Sequence, residues 1–160
     1  MKFMAVIRLV AAFGASFSAA LVGSLFTSRQ ALDTWYANLN KPFFTPPGWV
    51  FGPVWTTLYA LMAISAFLVW QRGLDTHAVR IALAFFLLQL VLNALWTPLF
   101  FGAKMPLLAF IEILFLWAAI LSTTVAFTKV HRPAALLLIP YIAWVTFAAI
   151  LNLSIYLLNR

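Results

Sequence analysis

The chain has 160 residues, 66% of them hydrophobic and 8% charged, with a net charge of +7 and a mean hydropathy of +1.05. Soluble domains are about half apolar and about a quarter charged, so this composition excludes a water-soluble globule. Cysteine is absent, which removes disulfides, zinc thiolates, iron–sulfur clusters and thiol nucleophiles.

A chain that lives in hydrocarbon must satisfy its own backbone, as helices or as a closed barrel. Barrel strands alternate apolar and polar residues over about ten positions. Here the apolar runs are longer and do not alternate, so the sequence predicts helices. About 20 residues span the hydrocarbon core. Five segments reach that length, and together they predict one all-α membrane domain over 1–160.

The first span covers residues 4–26. Its apolar stretch runs past the 7–15 residues or so of a signal-peptide core, so it reads as a retained helix. Small residues recur every fourth position along it, as Ala11, Ala15, Ala19 and Gly23 and again as Ala12, Ser16, Ala20 and Ser24. Such rows permit close helix contact. The connection 27–48 is the one long loop. It holds Pro42, Pro46 and Pro47 with Trp35, Tyr36, Phe43 and Phe44, and is expected to fold onto the helix ends.

The second span, 49–70, places Trp55, Tyr59 and Met62 on one face. The third, 79–101, aligns Gln89, Asn93, Trp96 and Phe100, spaced i, i+4, i+7 and i+11. The fourth, 106–128, carries Glu112 about two turns in. A carboxyl at that depth is a functional candidate. The plainer reading is a protonated group, or one hydrogen-bonded near the interface. The fifth, 134–158, aligns Tyr141, Trp144, Ala148 and Asn152. Pro106 and Pro133 suit helix starts. Pro98 and Pro140 fall inside apolar runs and are expected to kink their helices. The connections after the second, third and fourth spans are short and predict antiparallel neighbours.

Three faces rich in rings and amides suit a pocket for a planar, apolar ligand. The competing reading is that amides glue helices together and tryptophans anchor at the headgroups. Trp35, Trp49, Trp70 and Trp117 fit anchoring or packing, and Trp55, Trp96 and Trp144 fit lining. Asp33, Asp75, His77 and His131 fall in connections, where the histidines read as solvated. No paired carboxylates, catalytic triad, phosphate loop or metal-ligand spacing is present. That pattern weighs against conventional catalysis. The cations are scattered among loops and helix ends, which suits lipid headgroups and offers no stripe for nucleic acid. Six of them fall on the N-terminal side against four opposite, favouring an inside N-terminus.

Taken together, three blocks resemble the tryptophan-rich sensory protein or translocator protein family. The first is Trp35-Tyr36, Leu39, Lys41-Pro42, Pro46-Pro47, Trp49-Val50-Phe51, Trp55 and Leu58-Tyr59. The second is Gln89, Asn93, Trp96 and Phe100-Phe101-Gly102. The third is Pro140-Tyr141, Trp144, Ala148 and Leu151-Asn152. The resemblance implies a five-helix bundle, usually a homodimer, with a pocket beneath the long first loop. It implies porphyrin ligands such as protoporphyrin IX or heme, with no obligatory cofactor and no metal site, and in some members sterols or benzodiazepine-type drugs. Carried over by motif, the ligand-binding residues are Gly23, Trp55, Tyr59, Asn93, Trp96, Trp144 and Ala148. Trp55 and Trp144 also match tryptophans linked to light-dependent porphyrin breakdown, an alternative enzymatic role. The C-terminal Leu153-Ser154-Ile155-Tyr156 departs from the aromatic sterol segment of animal members, which weakens sterol transport and gives a bacterial look. Helical spans favour an inner membrane on physical grounds, whereas the resemblance leaves inner and outer membrane both open.

Overall fold

The computed structural model describes residues 2–27 and 31–160. Arg29 lies outside the described residues, and the side chains of Lys2 and Asp33 lie outside the described ones. Five stretches are long and apolar enough to cross a membrane: Phe3–Phe26, Gly48–Trp70, His77–Gly102, Pro106–Val130 and Arg132–Leu158. The first four are carried by α1 (Lys2–Phe26), α2 (Gly48–Trp70), α3 (His77–Thr97) and α4 (Pro106–Val130), and the fifth by α5 (Arg132–Leu136) and α6 (Ile139–Leu158). No strand occurs among the described residues.

The packing partners define a ring. α1 lies against α2 and α3, α3 against α4, and α4 against α6. α5 touches both α4 and α2 and closes the ring at one end. There the buried Ser65 hydroxyl donates to the Ala134 carbonyl at 2.7 Å. Between α2 and α6 themselves there is almost no close backbone approach, so side chains fill that seam.

Lipid tails are as apolar as leucine, so burial from water does not hold these helices together. Close packing and hydrogen bonds do. The small residues of α1 serve this inside the bundle: Ala12, Ser16 and Ala19 are buried. At Gly23 a Cβ would lie 3.2 Å from the Thr97 hydroxyl, so glycine permits the approach of α1 to α3.

The prolines act differently from the expected kinks. After Thr97 the third span widens into a π-type turn, Pro98–Gly102. Proline has no N–H to give, and its carbonyl instead accepts from Ala103 at 2.7 Å. The extra residue in the turn brings Phe100 and Phe101 to the same neighbours. In the fifth span the interruption comes at Leu137 and Leu138, and Pro140 sits in the first turn of a new helix. A proline there meets no preceding helical turn, so the span is broken in two before it and is not bent at it.

His131 corrects a second expectation. It is half-buried, and its Nδ1 accepts from the Ala134 N–H at 3.2 Å. It therefore caps α5, adding a side-chain acceptor to an N–H that also reaches the His131 carbonyl at 3.0 Å. His77, the first residue of α3, is exposed as expected.

The long connection folds over one end of the ring. A π-type turn, Ala31–Tyr36, packs on the Pro98–Gly102 turn. Trp35 and Tyr36 meet Phe100 with ring centroids 5.5 and 6.2 Å apart. The Lys41 ammonium donates to the carbonyls of Tyr36, Ala37 and Leu39 at 2.7, 3.1 and 3.0 Å and lies over the Tyr36 ring. Asn40 and Asn159 tie the loop to the end of α6: the Asn40 N–H donates to Asn159 Oδ1 at 2.9 Å, and Asn159 Nδ2 to the Asn40 carbonyl at 2.8 Å.

Candidate functional site

The site lies where α2, α3 and α6 turn their ring- and amide-bearing faces to one another. Helical periodicity puts Phe51, Trp55 and Tyr59 on one side of α2, Asn93 and Trp96 on one side of α3, and Tyr141, Trp144 and Ala148 on one side of α6. At the centre is Asn93. Its Oδ1 accepts from the Tyr59 hydroxyl at 2.7 Å, and its Nδ2 donates to the Tyr141 hydroxyl oxygen at 3.0 Å. All three residues are buried, Tyr141 completely. One amide thereby joins three helices.

Rings surround this centre. Trp55 stacks on Tyr59 at 5.4 Å and meets Tyr141 edge-on at 6.3 Å. Phe17 of α1 approaches Tyr59 at 5.8 Å. Across the seam between α2 and α6, Phe51 meets Trp144 at 5.9 Å, and Trp144 meets Phe147 at 5.5 Å. Phe44 of the loop rests on Phe147 at 6.2 Å. The lid and the aromatic seam are thus continuous.

Trp96 belongs to a neighbouring cluster. It stacks on Phe100 at 5.0 Å, and its Nε1 donates to Asn152 Oδ1 at 3.1 Å. Asn152 Nδ2 in turn donates to the Pro106 carbonyl at 2.8 Å, fixing the start of α4. Gln89, one turn below Asn93, donates to the Met62 sulfur at 3.9 Å. These bonds match the role of amides as glue, while Asn93 combines glue with a place among the rings.

Of the residues expected at a ligand, Trp55, Tyr59, Asn93 and Trp144 are gathered around one centre. Trp96 flanks it, Ala148 lies half-buried one turn past Trp144, and Gly23 faces Thr97 at the α1–α3 contact. Phe51 and Phe147 were not among the expected lining residues. Their signal was present, since they stand four residues before Trp55 and three after Trp144. Trp117 ties α4 to α6, its Nε1 donating to the Thr146 hydroxyl at 2.8 Å, and Trp49 is exposed, as an anchor would be.

The site offers flat π surfaces, phenol hydroxyls and amides. Among the described residues no group of three or more His, Cys, Asp or Glu comes together. The rings fill the centre, and two open apolar grooves lie elsewhere. One, of about 410 Å³, runs between the start of α4 and the end of α6, and the other, of about 480 Å³, runs along α1.

Five spans walled around rings and amides at membrane depth define a multi-pass membrane protein whose distinctive chemistry faces inward. The chain belongs to the TspO/MBR family, whose profile matches residues 9–158. It is 44% identical over 156 residues to the Tryptophan-rich protein TspO of Archaeoglobus fulgidus, covering 98% of this chain and 99% of that one. It is 43% identical over 136 residues to the Translocator protein of Homo sapiens, covering 84% and 80%. Against the Tryptophan-rich sensory protein of Cereibacter sphaeroides it is 41% identical over 127 residues, covering 79% and 78%.

Proposed function

We propose that this protein binds planar tetrapyrroles of the porphyrin class between α2, α3 and α6, under loop residues 31–47, in a sensory or transport role. The observation that carries this reading is the Tyr59–Asn93–Tyr141 centre, set among aromatic faces at a seam where the α2 and α6 backbones scarcely approach each other. Stacking favours a flat apolar ligand, and a few fixed polar groups orient it. Because side chains alone close the seam, rotation of the Phe51, Trp55 and Trp144 rings opens space without unpacking helices. The names of the relatives, sensory protein and translocator, agree with a receptor or carrier role.

The test is a titration of the purified protein with protoporphyrin IX, following tryptophan quenching in the dark and under light. Saturable quenching that weakens in Asn93→Leu and Trp55→Ala is expected. Absence of saturable quenching in the parent protein overturns the reading. A new porphyrin product formed only under light, and lost in Trp144→Phe, would give the tryptophans a chemical role as well.

A further inference from the structure

Glu112 is the one described acidic residue within a span. It is buried, neither carboxyl oxygen has a hydrogen-bond partner among the described residues, and it lines neither groove. The accessible charge of the bundle lies on its outer surface, and part of it stands at the mouth of the groove between α4 and α6.

That groove, of about 410 Å³, has Met105, Leu108 and Ile111 on one wall and Tyr156 and Asn159 on the other. Both walls are held in place. The Pro106 carbonyl accepts from Asn152 Nδ2 at 2.8 Å, and Asn159 Nδ2 donates to the Ile155 carbonyl at 2.7 Å while it holds Asn40. The groove is therefore built before anything fills it. It opens where the fourth span begins, at Pro106, and the fifth ends, at Leu158. From there it runs inward to Ile111, a rise of about 8 Å.

Two cations stand at its outer end. Lys104 precedes Met105 on one wall, and Arg160 follows Asn159 on the other. Both lie just outside the spans, at headgroup level, and both are exposed. Neither has an ion-pair or hydrogen-bond partner among the described residues. Lys104 also has a backbone φ of 56°, in the left-handed region. It forms the turn in which the Met105 N–H reaches back to the Leu99 carbonyl at 3.1 Å. Glycine adopts that conformation freely, whereas a side chain strains it. A lysine here accepts the strain and sets a charge beside the groove, and strain of this kind marks functional positions.

Charge decides among the possible occupants. A sterol is neutral and rigid, and it would leave both cations unmatched. A second copy of this chain, docked by two-fold symmetry through the same groove, would bring like charges together. An anionic phospholipid supplies both a hydrocarbon chain and a negative headgroup. The lysine and arginine stems lie along apolar surface while their charged ends stay at the headgroups. Tyr156, half-buried at the same level, is amphipathic in the same sense.

We propose that the α4–α6 groove binds an anionic phospholipid of the surrounding bilayer, with an acyl chain against Leu108 and Ile111 and the phosphate between Lys104 and Arg160. The site is separate from the ring centre and does not depend on the tetrapyrrole reading.

The experiment places the full chain in phosphatidylcholine nanodiscs with a small fraction of phosphatidylglycerol bearing a photoreactive diazirine on its acyl chain. A phosphatidylcholine probe with the same chain serves as the comparison, and labelled peptides are mapped by mass spectrometry. The anionic probe should label residues 105–111 and 156–159 at least about fivefold more than the neutral one, the scale of one cation's attraction to an anionic headgroup. The double variant Lys104→Gln, Arg160→Gln should lose that excess. The double variant Lys129→Gln, Arg132→Gln, changed at the opposite end of the bundle, should keep it. Lys104→Gly removes one charge while easing the turn, so it should lower the excess without loss of thermal stability, and it is the probe if the double variant fails to fold. Equal labelling by the two lipids in the parent, or an excess that survives in the folded Lys104→Gln, Arg160→Gln or Lys104→Gly protein, overturns the proposal. Stronger labelling of the groove by a photoreactive cholesterol, or crosslinks from the groove to a second copy of the chain in place of lipid, overturns it as well.

Discussion

Replacing Asn93 with leucine tests whether its amide organises the bundle centre. The change nearly conserves volume but removes two hydrogen bonds, of 2.7 and 3.0 Å. Intramembrane hydrogen bonds average about 0.6 kcal/mol and reach about 1.7. The Tyr59 donor and the Tyr141 oxygen are then stranded, and unsatisfied buried groups cost about 1–3 kcal/mol each. A loss of about 2–4 kcal/mol is expected, since these terms overlap. In a Tyr59→Phe, Tyr141→Phe background the rings remain but no hydroxyl is stranded, so the same change should cost less than about 1 kcal/mol. Equilibrium unfolding in mixed micelles, followed by helical circular dichroism, measures all four corners of the cycle. An equal cost in both backgrounds would refute the claim that Asn93 acts through the two phenols.

The lid tie predicts that Asn159→Ala speeds amide exchange in residues 37–47 several-fold while the spans keep their protection, measured by hydrogen–deuterium exchange. At the α1–α3 contact, Gly23→Leu is expected to cost about 1–3 kcal/mol through overpacking, with Thr97→Ala relieving part of it in the same unfolding assay. Burial raises the Tyr36 phenol above its ordinary value of 10.0. The folded value exceeds the unfolded one, so the contribution of Tyr36 is complete below about pH 10 and lost as pH climbs through the folded value. Alkaline loosening of the lid should therefore shift to higher pH in Tyr36→Phe, followed by cleavage within 37–47 by an alkali-tolerant protease.

The spans were legible because hydrocarbon imposes a single length and a single backbone solution. The face arguments also held, since Asn93 meets Tyr59 and Tyr141 from two other helices. Periodicity says which residues share a face, but not which face meets which. That is why Trp96 was grouped with Asn93 although it pairs with Asn152. The break before Pro140 was illegible for a related reason: a proline inside an apolar run looks the same whether it bends a helix or begins one. The cap at His131 depends on a turn whose geometry composition does not encode. The unpartnered state of Glu112 depends on every neighbour at once, so no local pattern reveals it.

The tie between Asn40 and Asn159 joins residues 119 positions apart. Asn40 is synthesised while four of the five spans are still unmade. Its partner arrives only when α6 has crossed. The cover over the aromatic seam is thus a late assembly event, and correct insertion of the fifth span acts as the checkpoint for closing it. Until then the rings of α2 face the bilayer unguarded, and partially inserted chains should be the species most exposed to membrane-resident chaperones and proteases.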